Sequence, residues 1–241
     1  MSLKSTPQNG LSKEKDKTEA MFDGIAGKYD FLNHFLSAGT DIIWRKNAIQ
    51  LLGKHKPRKI LDVATGTADL AIAASRLNPE QITGIDLSNK MLEIGQKKII
   101  QKNLGDHIEL IKGDAENLPF ESNFFDAVIV GFGVRNFENL EKGLMEMKRV
   151  VKEGGVVIIL EFSNPTQFPI KQLYQFYFKT ILPSVGKLVS KHHSAYTYLP
   201  KSVLEFPDGI KMVEILQGMG YKHCQFKPQT MGIATIYSGI K

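Results

Sequence analysis

The chain has 241 residues, 42% hydrophobic and 23% charged, with a formal net charge of +6. This is room for one large α/β domain of ordinary soluble composition, and the single cysteine, Cys224, excludes an intramolecular disulfide framework and fits a reducing compartment. No apolar run reaches the roughly 18–20 residues that span a bilayer, the start lacks a signal-peptide core, the histidines make no metal-ligand spacing, and the scattered Lys and Arg residues form no nucleic-acid-binding run.

Residues 1–17 are polar and lysine-rich and read as a flexible tail. From 18 to 36, Met21, Phe22 and Ile25 share one helical face, and Tyr29, Leu32, Phe35 and Leu36 another. Gly24 and Gly27 predict a bend between two helices. A third helix is predicted over 41–52, so that 18–56 forms a helical cap. From Lys59 the pattern alternates. Strands are predicted over 60–63, 81–85, 107–111, 125–130 and 156–162. Helices are predicted over about 67–77, 89–101 and 140–150, with Ser88 capping the second and a turn over 152–155. Such alternation argues a parallel sheet covered on both faces, and the apolar run Val156 to Leu160 suits a strand buried on both sides.

Residues 163–207 break this rhythm. Prolines and aromatics, among them Phe176, Tyr177, Tyr196 and Tyr198, mark a helical insertion of the kind that builds a substrate pocket. A last helix over 208–219 and strands over 221–227 and 233–240 close the chain as an antiparallel ending. The organisation is a single domain over 18–241, with no internal repeat.

The stretch from Lys59 to Ala74 carries the first chemical signal. A short apolar strand breaks at Thr65-Gly66-Thr67 and resumes as an Ala-rich helix. A strand, a glycine turn and a helix start form a nucleotide-type cradle, with N–H groups at the helix start facing a ligand. Asp62 and Asp69 flank this turn, and there is no fuller glycine series. Carboxylates repel a pyrophosphate and suit a cationic ligand such as S-adenosylmethionine. Asp86 lies 20 residues after Gly66 at the end of the second strand, where a carboxylate binds ribose hydroxyls. At the third strand end, Asp114 can accept from an adenine amino group while the Ala115 N–H donates to a ring nitrogen. Leu87, Met91 and Leu118 are candidates to sandwich the ring.

These pieces resemble the class I S-adenosylmethionine-dependent methyltransferases. The resemblance narrows through Tyr29-Asp30-Phe31-Leu32-Asn33, Trp44-Arg45, Gly131-Phe132-Gly133-Val134-Arg135-Asn136, Glu161-Phe162-Ser163 and Tyr196-Thr197-Tyr198-Leu199. In that order they resemble the ubiquinone/menaquinone-biosynthesis C-methyltransferase family, over nearly the whole chain from residue 18. The resemblance implies a Rossmann-like three-layer sandwich with a seven-stranded, mostly parallel sheet and a C-terminal antiparallel strand. It implies cofactor contacts at Thr67, Asp86, Asp114 and Ala115, beside Asp62, Thr65, Gly66 and Leu87 from the residue reading. Ala68 stands where the family often has glycine, and alanine suits the first turn of a helix.

The reaction so implied is methyl transfer from S-adenosylmethionine to a ring carbon of a prenylated hydroquinone. A phenol of pKa about 10 is ionised about one part in a thousand at pH 7, a cost of roughly 4 kcal/mol. Arg135 is the expected charge that favours the phenolate, and Asn136 the expected orienting group, each at the cofactor edge of the sheet. Alternatively Arg135 pairs with a carboxylate such as Asp62 or Asp69 and shapes the loop. Tyr29, His34, Tyr196 and Tyr198 are candidates to line the ring pocket. No metal and no nucleic-acid partner are expected. The oligomeric state stays open, with a homodimer as one option. A cytoplasmic location is expected, with peripheral contact at the inner face of the membrane, because the prenyl tail lies in the bilayer and 171–191 mixes aromatics with lysines. Methylation of another small molecule remains open, as does a nucleic-acid methyltransferase, which usually carries an Asn/Asp-Pro-Pro-aromatic loop where this chain has 131–136.

Overall fold

A computed structural model describes residues 13–37, 39–176 and 193–241, without the side chains of 13–14, 28–36, 175, 193–197 and 199. Seven strands form a mixed sheet: β1 (Lys59–Val63), β2 (Gln81–Asp86), β3 (Ile108–Lys112), β4 (Phe125–Gly131), β5 (Val151–Phe162), β6 (Lys222–Gln229) and β7 (Ala234–Ile240). Their spatial order is β3-β2-β1-β4-β5-β7-β6. The first five pair in parallel, and β7 runs antiparallel to both β5 and β6. This is the seven-stranded sheet with a reversed C-terminal strand that the sequence predicts.

Alternate strand residues point to opposite faces and build two cores. Ile60, Ile82, Ile129 and Ile158 face helices α2 (Thr40–Gly53), α3 (Asp69–Ala74) and α4 (Asn89–Gln101) through Trp44, Ala71 and Ile99. Leu61, Val128 and Ile159 face α5 (Leu140–Val150) and a later helix, Ile210–Gly218, through Leu144 and Leu216. Double-sided burial explains why these strands read as unbroken apolar runs.

Several boundaries differ from expectation, among them the following. Helix α1 is one continuous element, Lys13–Leu36, so Gly24 and Gly27 do not divide it and helix replaces tail from Lys13. A glycine inside a helix costs only about 1 kcal/mol, which packing along the helix overcomes. Strand β3 starts and ends one residue later than predicted, at Lys112. The predicted turn over 152–155 is absorbed into β5 as a bulge: the register jumps from Phe125↔Val151 to Ala127↔Val156, and Gly154 takes φ +75°.

The insertion supplies α6 (Ile170–Phe176) and α7 (His193–Glu205), with Ile210–Gly218 following as α8. Among the described residues no helix is long and apolar enough to cross a membrane. Strand order reverses between β1 and β4, so a crevice opens outside their carboxyl ends, where ligands of such sheets bind.

Candidate active site

The β1–α3 turn is braced by its own carboxylates. Asp62 is wholly buried, and its Oδ2 accepts from Thr65 Oγ1 at 2.6 Å and from the Ala71 N–H at 3.0 Å. Its Oδ1 is buried without a hydrogen-bond partner among the described residues. Burial raises this carboxyl to about 7, helped by the charge of Asp86 and opposed by the Thr65 and Ala71 bonds and by Arg45. Gly66 takes φ +56°, a left-handed conformation that glycine adopts without strain, and its N–H donates to Asp86 Oδ2 at 2.8 Å. Ala68 also lies in the left-handed region, at φ +65°, and precedes the helix. It is therefore not in the first helical turn, and alanine sits where the geometry favours glycine.

Below the turn runs a polar network. Lys98 Nζ donates to Thr67 Oγ1 at 2.9 Å and pairs with Asp69 at 2.6 Å. Arg45 reaches Asp69 at 3.7 Å and pairs with Asp41 one helical turn away. These bonds support the turn from the side away from the crevice.

The crevice is a cavity of about 510 Å³. Gly66, Asp86, Leu87 and Met91 line one side, and Asp114 and Ala115 continue it. Asp86 also accepts the Ser88 N–H at 2.9 Å, and burial raises its carboxyl against the pull of the Ser88 and Gly66 bonds. Helix α1 forms the roof through Thr18, Met21 and Phe22. Asp23 takes a bond from Ser88 Oγ at 2.5 Å, and Lys112 bonds Glu19 at 2.7 Å. At the β3 end of the cavity, Lys15 pairs with Asp114 at 2.7 Å and with Glu116 at 3.0 Å. The buried Glu116 also accepts the N–H groups of Glu138 and Asn139, tying the β3 end to the β4–α5 loop.

The far end of the cavity is made by Phe132, Gly133, Asn136 and Tyr198. Tyr198 Oη donates to Asn136 Oδ1 at 3.0 Å. Burial raises the Tyr198 hydroxyl pKa, with Arg135 opposing, so it stays a neutral donor. The two turns pack closely here: a Cβ on Gly133 would lie 2.6 Å from Ala64 Cβ. Arg135 Nη1 donates to Glu161 Oε1 at 2.6 Å and to the Phe132 carbonyl at 2.6 Å, and Glu161 is fully buried.

Of the predicted site residues, Gly66, Asp86, Leu87, Asp114, Ala115, Asn136 and Tyr198 line this cavity. Asp62, Thr65 and Thr67 do not: they are buried behind the turn and hold its shape. Leu118 is also in the core rather than on the cavity wall. Arg135 does pair with a carboxylate, and the partner is Glu161, not Asp62 or Asp69. Its side chain lines a second, adjoining cavity of about 240 Å³. Tyr29 and His34 fall on α1 and Tyr196 on α7, but their side chains lie outside the described residues. Sequence reading assigned no site role to Lys15, Glu116 or Glu161, although Glu161-Phe162-Ser163 stands among its motifs. Only Glu161 carried a signal, a carboxylate ending an otherwise apolar strand, which must be paired when buried.

The turn fits a phosphate-free, cationic ligand. The Gly66 and Ala71 N–H groups expected to face an anion are already bonded to carboxylates. The cavity wall carries Asp86, Asp114 and Glu116, and its length from Asp114 to Asn136 passes the turn.

The model of the ubiE/COQ5 methyltransferase family matches residues 10–241. A demethylmenaquinone methyltransferase of Bacteroides fragilis is 45% identical over 239 residues, covering 99% of this chain and 98% of the relative. A ubiquinone/menaquinone biosynthesis C-methyltransferase, UbiE, of Geotalea daltonii is 44% identical, covering 96% and 99%. Among solved structures, a SAM-dependent methyltransferase of Thermotoga maritima superposes with TM-score 0.63 at 16% identity, covering 92% of this chain and 99% of that one. The [4+2]-cyclase SpnF does so with TM-score 0.66 at 15% identity, covering 94% and 96%. At such low identity these two likenesses speak to the fold alone.

Proposed function

We propose, from the premise that this chain belongs to the ubiE/COQ5 methyltransferase family, that it methylates a ring carbon of a prenylated hydroquinone, converting demethylmenaquinol to menaquinol. The chain is an S-adenosylmethionine-dependent methyltransferase. The observation that carries the acceptor reading is the Tyr198–Asn136 pair at the end of the cofactor cavity, beside a second cavity whose lining includes Val134, Leu140, Phe206 and Pro207.

Bound S-adenosylmethionine supplies an electrophilic methyl group. Asp86 is the proposed partner of the ribose hydroxyls. Each of its oxygens takes one backbone N–H and keeps a lone pair for another donor. Asp114 and the Ala115 N–H are proposed to bind the adenine edge, and Leu87 and Met91 its face. Asp62, Thr65 and Thr67 act through the turn they hold rather than by contact.

At the acceptor end, Tyr198 spends its proton on Asn136 and leaves its oxygen to accept from a ring hydroxyl. Drawing on that hydroxyl makes the ring carbon more nucleophilic. Arg135, balanced by Glu161, is not a spare cation for a phenolate. Its proposed role is to hold the 134–136 turn, so that Asn136 meets Tyr198. As the new carbon–carbon bond forms, the methyl–sulfur bond would break with its electron pair staying on sulfur, and the ring hydrogen would then leave as a proton to water.

The prenyl tail keeps this substrate in a bilayer, and a peripheral contact with the membrane is part of the proposal. Phe168, Leu173 and Phe176 at and beside α6 are largely exposed, next to Lys171. Co-sedimentation with anionic vesicles, lost on Phe168→Ser/Phe176→Ser, tests it, and unchanged binding refutes the contact. The expected lysine-bearing stretch over 177–191 lies outside the described residues.

The central test is methyl transfer from labelled S-adenosylmethionine to short-tailed demethylmenaquinol and to the matching demethylated benzoquinol, under reducing conditions. Labelled naphthoquinol product supports the reading, and product from both rings widens it. Tight cofactor binding with neither ring methylated overturns it.

A further inference from the structure

The second cavity opens on the other side of the residues that end the first. Its lining includes Val134, Leu140, Phe206 and Pro207, the buried Ser202 and the charged Arg135, with Lys201 toward its rim. Phe137, Tyr198 and Glu205 line both cavities, so the two adjoin across the 134–136 turn. Lys201 and Glu205, whose side chains are 73% and 67% exposed, mark where it meets solvent. The second cavity is smaller than the cofactor cavity and open at one end, and its apolar side chains lie beside Arg135, Lys201 and Glu205.

We propose that this second cavity seats the first part of the acceptor's prenyl chain, with Phe137 and Tyr198 as the threshold between ring and tail. The inference rests on the prenylated-quinol reading above. With the ring at the Asn136–Tyr198 pair, the adjoining cavity offers the tail apolar side chains between the start of α5 and the end of α7. Transfer of an apolar chain into such a groove gains roughly fourfold in affinity for each buried methylene. A free prenyl alcohol would satisfy the same walls, but only a chain attached to the ring couples this cavity to methyl transfer.

The test compares acceptor rings bearing no tail, one prenyl unit and two, in wild type and in Leu140→Asp. Leu140 is the first residue of α5, half-buried, and an acidic residue suits a helix start, so the variant is expected to fold. Its melting temperature and its affinity for S-adenosylmethionine check this directly. In wild type, the first prenyl unit raises kcat/KM at least tenfold, mainly by lowering KM. In Leu140→Asp that gain falls toward one. The inference is overturned if the tail brings no gain in wild type, or if the variant depresses tailed and tail-less rings alike. Failure of wild type to methylate any ring overturns the functional reading itself, and the inference with it, which a tail-independent activity would not do.

Discussion

Lys15 Nζ lies 2.7 Å from Asp114 Oδ2, on the carboxylate proposed to receive the adenine amino group. Burial works against the lysine's charge, but its bonds to Asp114 and Glu116 outweigh that and raise its pKa. The N-terminal helix thus holds with its own cation the proposed adenine acceptor. Lys15→Met is expected to tighten S-adenosylmethionine binding several-fold and to speed its association, read by calorimetry and stopped-flow fluorescence. Asp114→Ala is expected to weaken it by roughly 1.5–3 kcal/mol, about tenfold or more. Weaker binding in Lys15→Met would make Lys15 a cofactor ligand instead of a competitor.

Asp62 predicts a pH dependence of stability. Its folded pKa of about 7 stands above the ordinary aspartate value because of burial. The folded state therefore binds its proton more tightly than the unfolded chain. The resulting stabilisation is complete below the unfolded value and is lost as pH rises toward 7. Between pH 5 and 8 the loss is roughly 3 kcal/mol, at 1.36 kcal/mol per unit. Urea unfolding at the two pH values should show it in wild type, and the loss should shrink in Asp62→Asn, which has no proton to release.

The Arg135–Glu161 pair is buried, with the two side chains 6% and 0% exposed. Glu161→Ala leaves a guanidinium without its counter-charge and is expected to cost about 3–5 kcal/mol. At roughly 2–4 °C per kcal/mol this is a drop in Tm on the order of 10 °C. Arg135→Met/Glu161→Leu removes both charges and should recover most of the stability while methyl transfer stays low. Equal instability in the single and double variants would mean that packing, not charge, is what the pair contributes.

Gly133→Ala places a methyl 2.6 Å from Ala64 Cβ, between the two turns that shape the cofactor cavity. Neither side can swing away, since both atoms sit directly on backbone. Overpacking of this kind costs about 1–3 kcal/mol. The expected result is a loss of cofactor affinity of tenfold or so, with the circular dichroism of the fold retained. Unchanged affinity would show that the β4–α5 turn can shift without disturbing the cradle.

The sequence by itself determined the order of elements, the parallel sheet with its reversed last strand, and the strand ends that carry Gly66, Asp86, Asp114 and Asn136. These follow from local pattern: strands buried on both faces read as apolar runs, and chemistry placed just past them must come to one edge. Only the tertiary structure decided which carboxylates face the cavity. Asp62 and Asp86 look alike in the chain, yet one is sealed behind the turn and the other lines the crevice. It also decided that Lys15, 99 residues from Asp114, covers the β3 end of the cavity, and that Arg135 finds Glu161, 26 residues on. Such pairings depend on how distant elements pack, and no local periodicity encodes the distance between them. The continuous α1 makes the same point: glycine spacing argued for a bend, and the helix runs through both glycines at a small local cost.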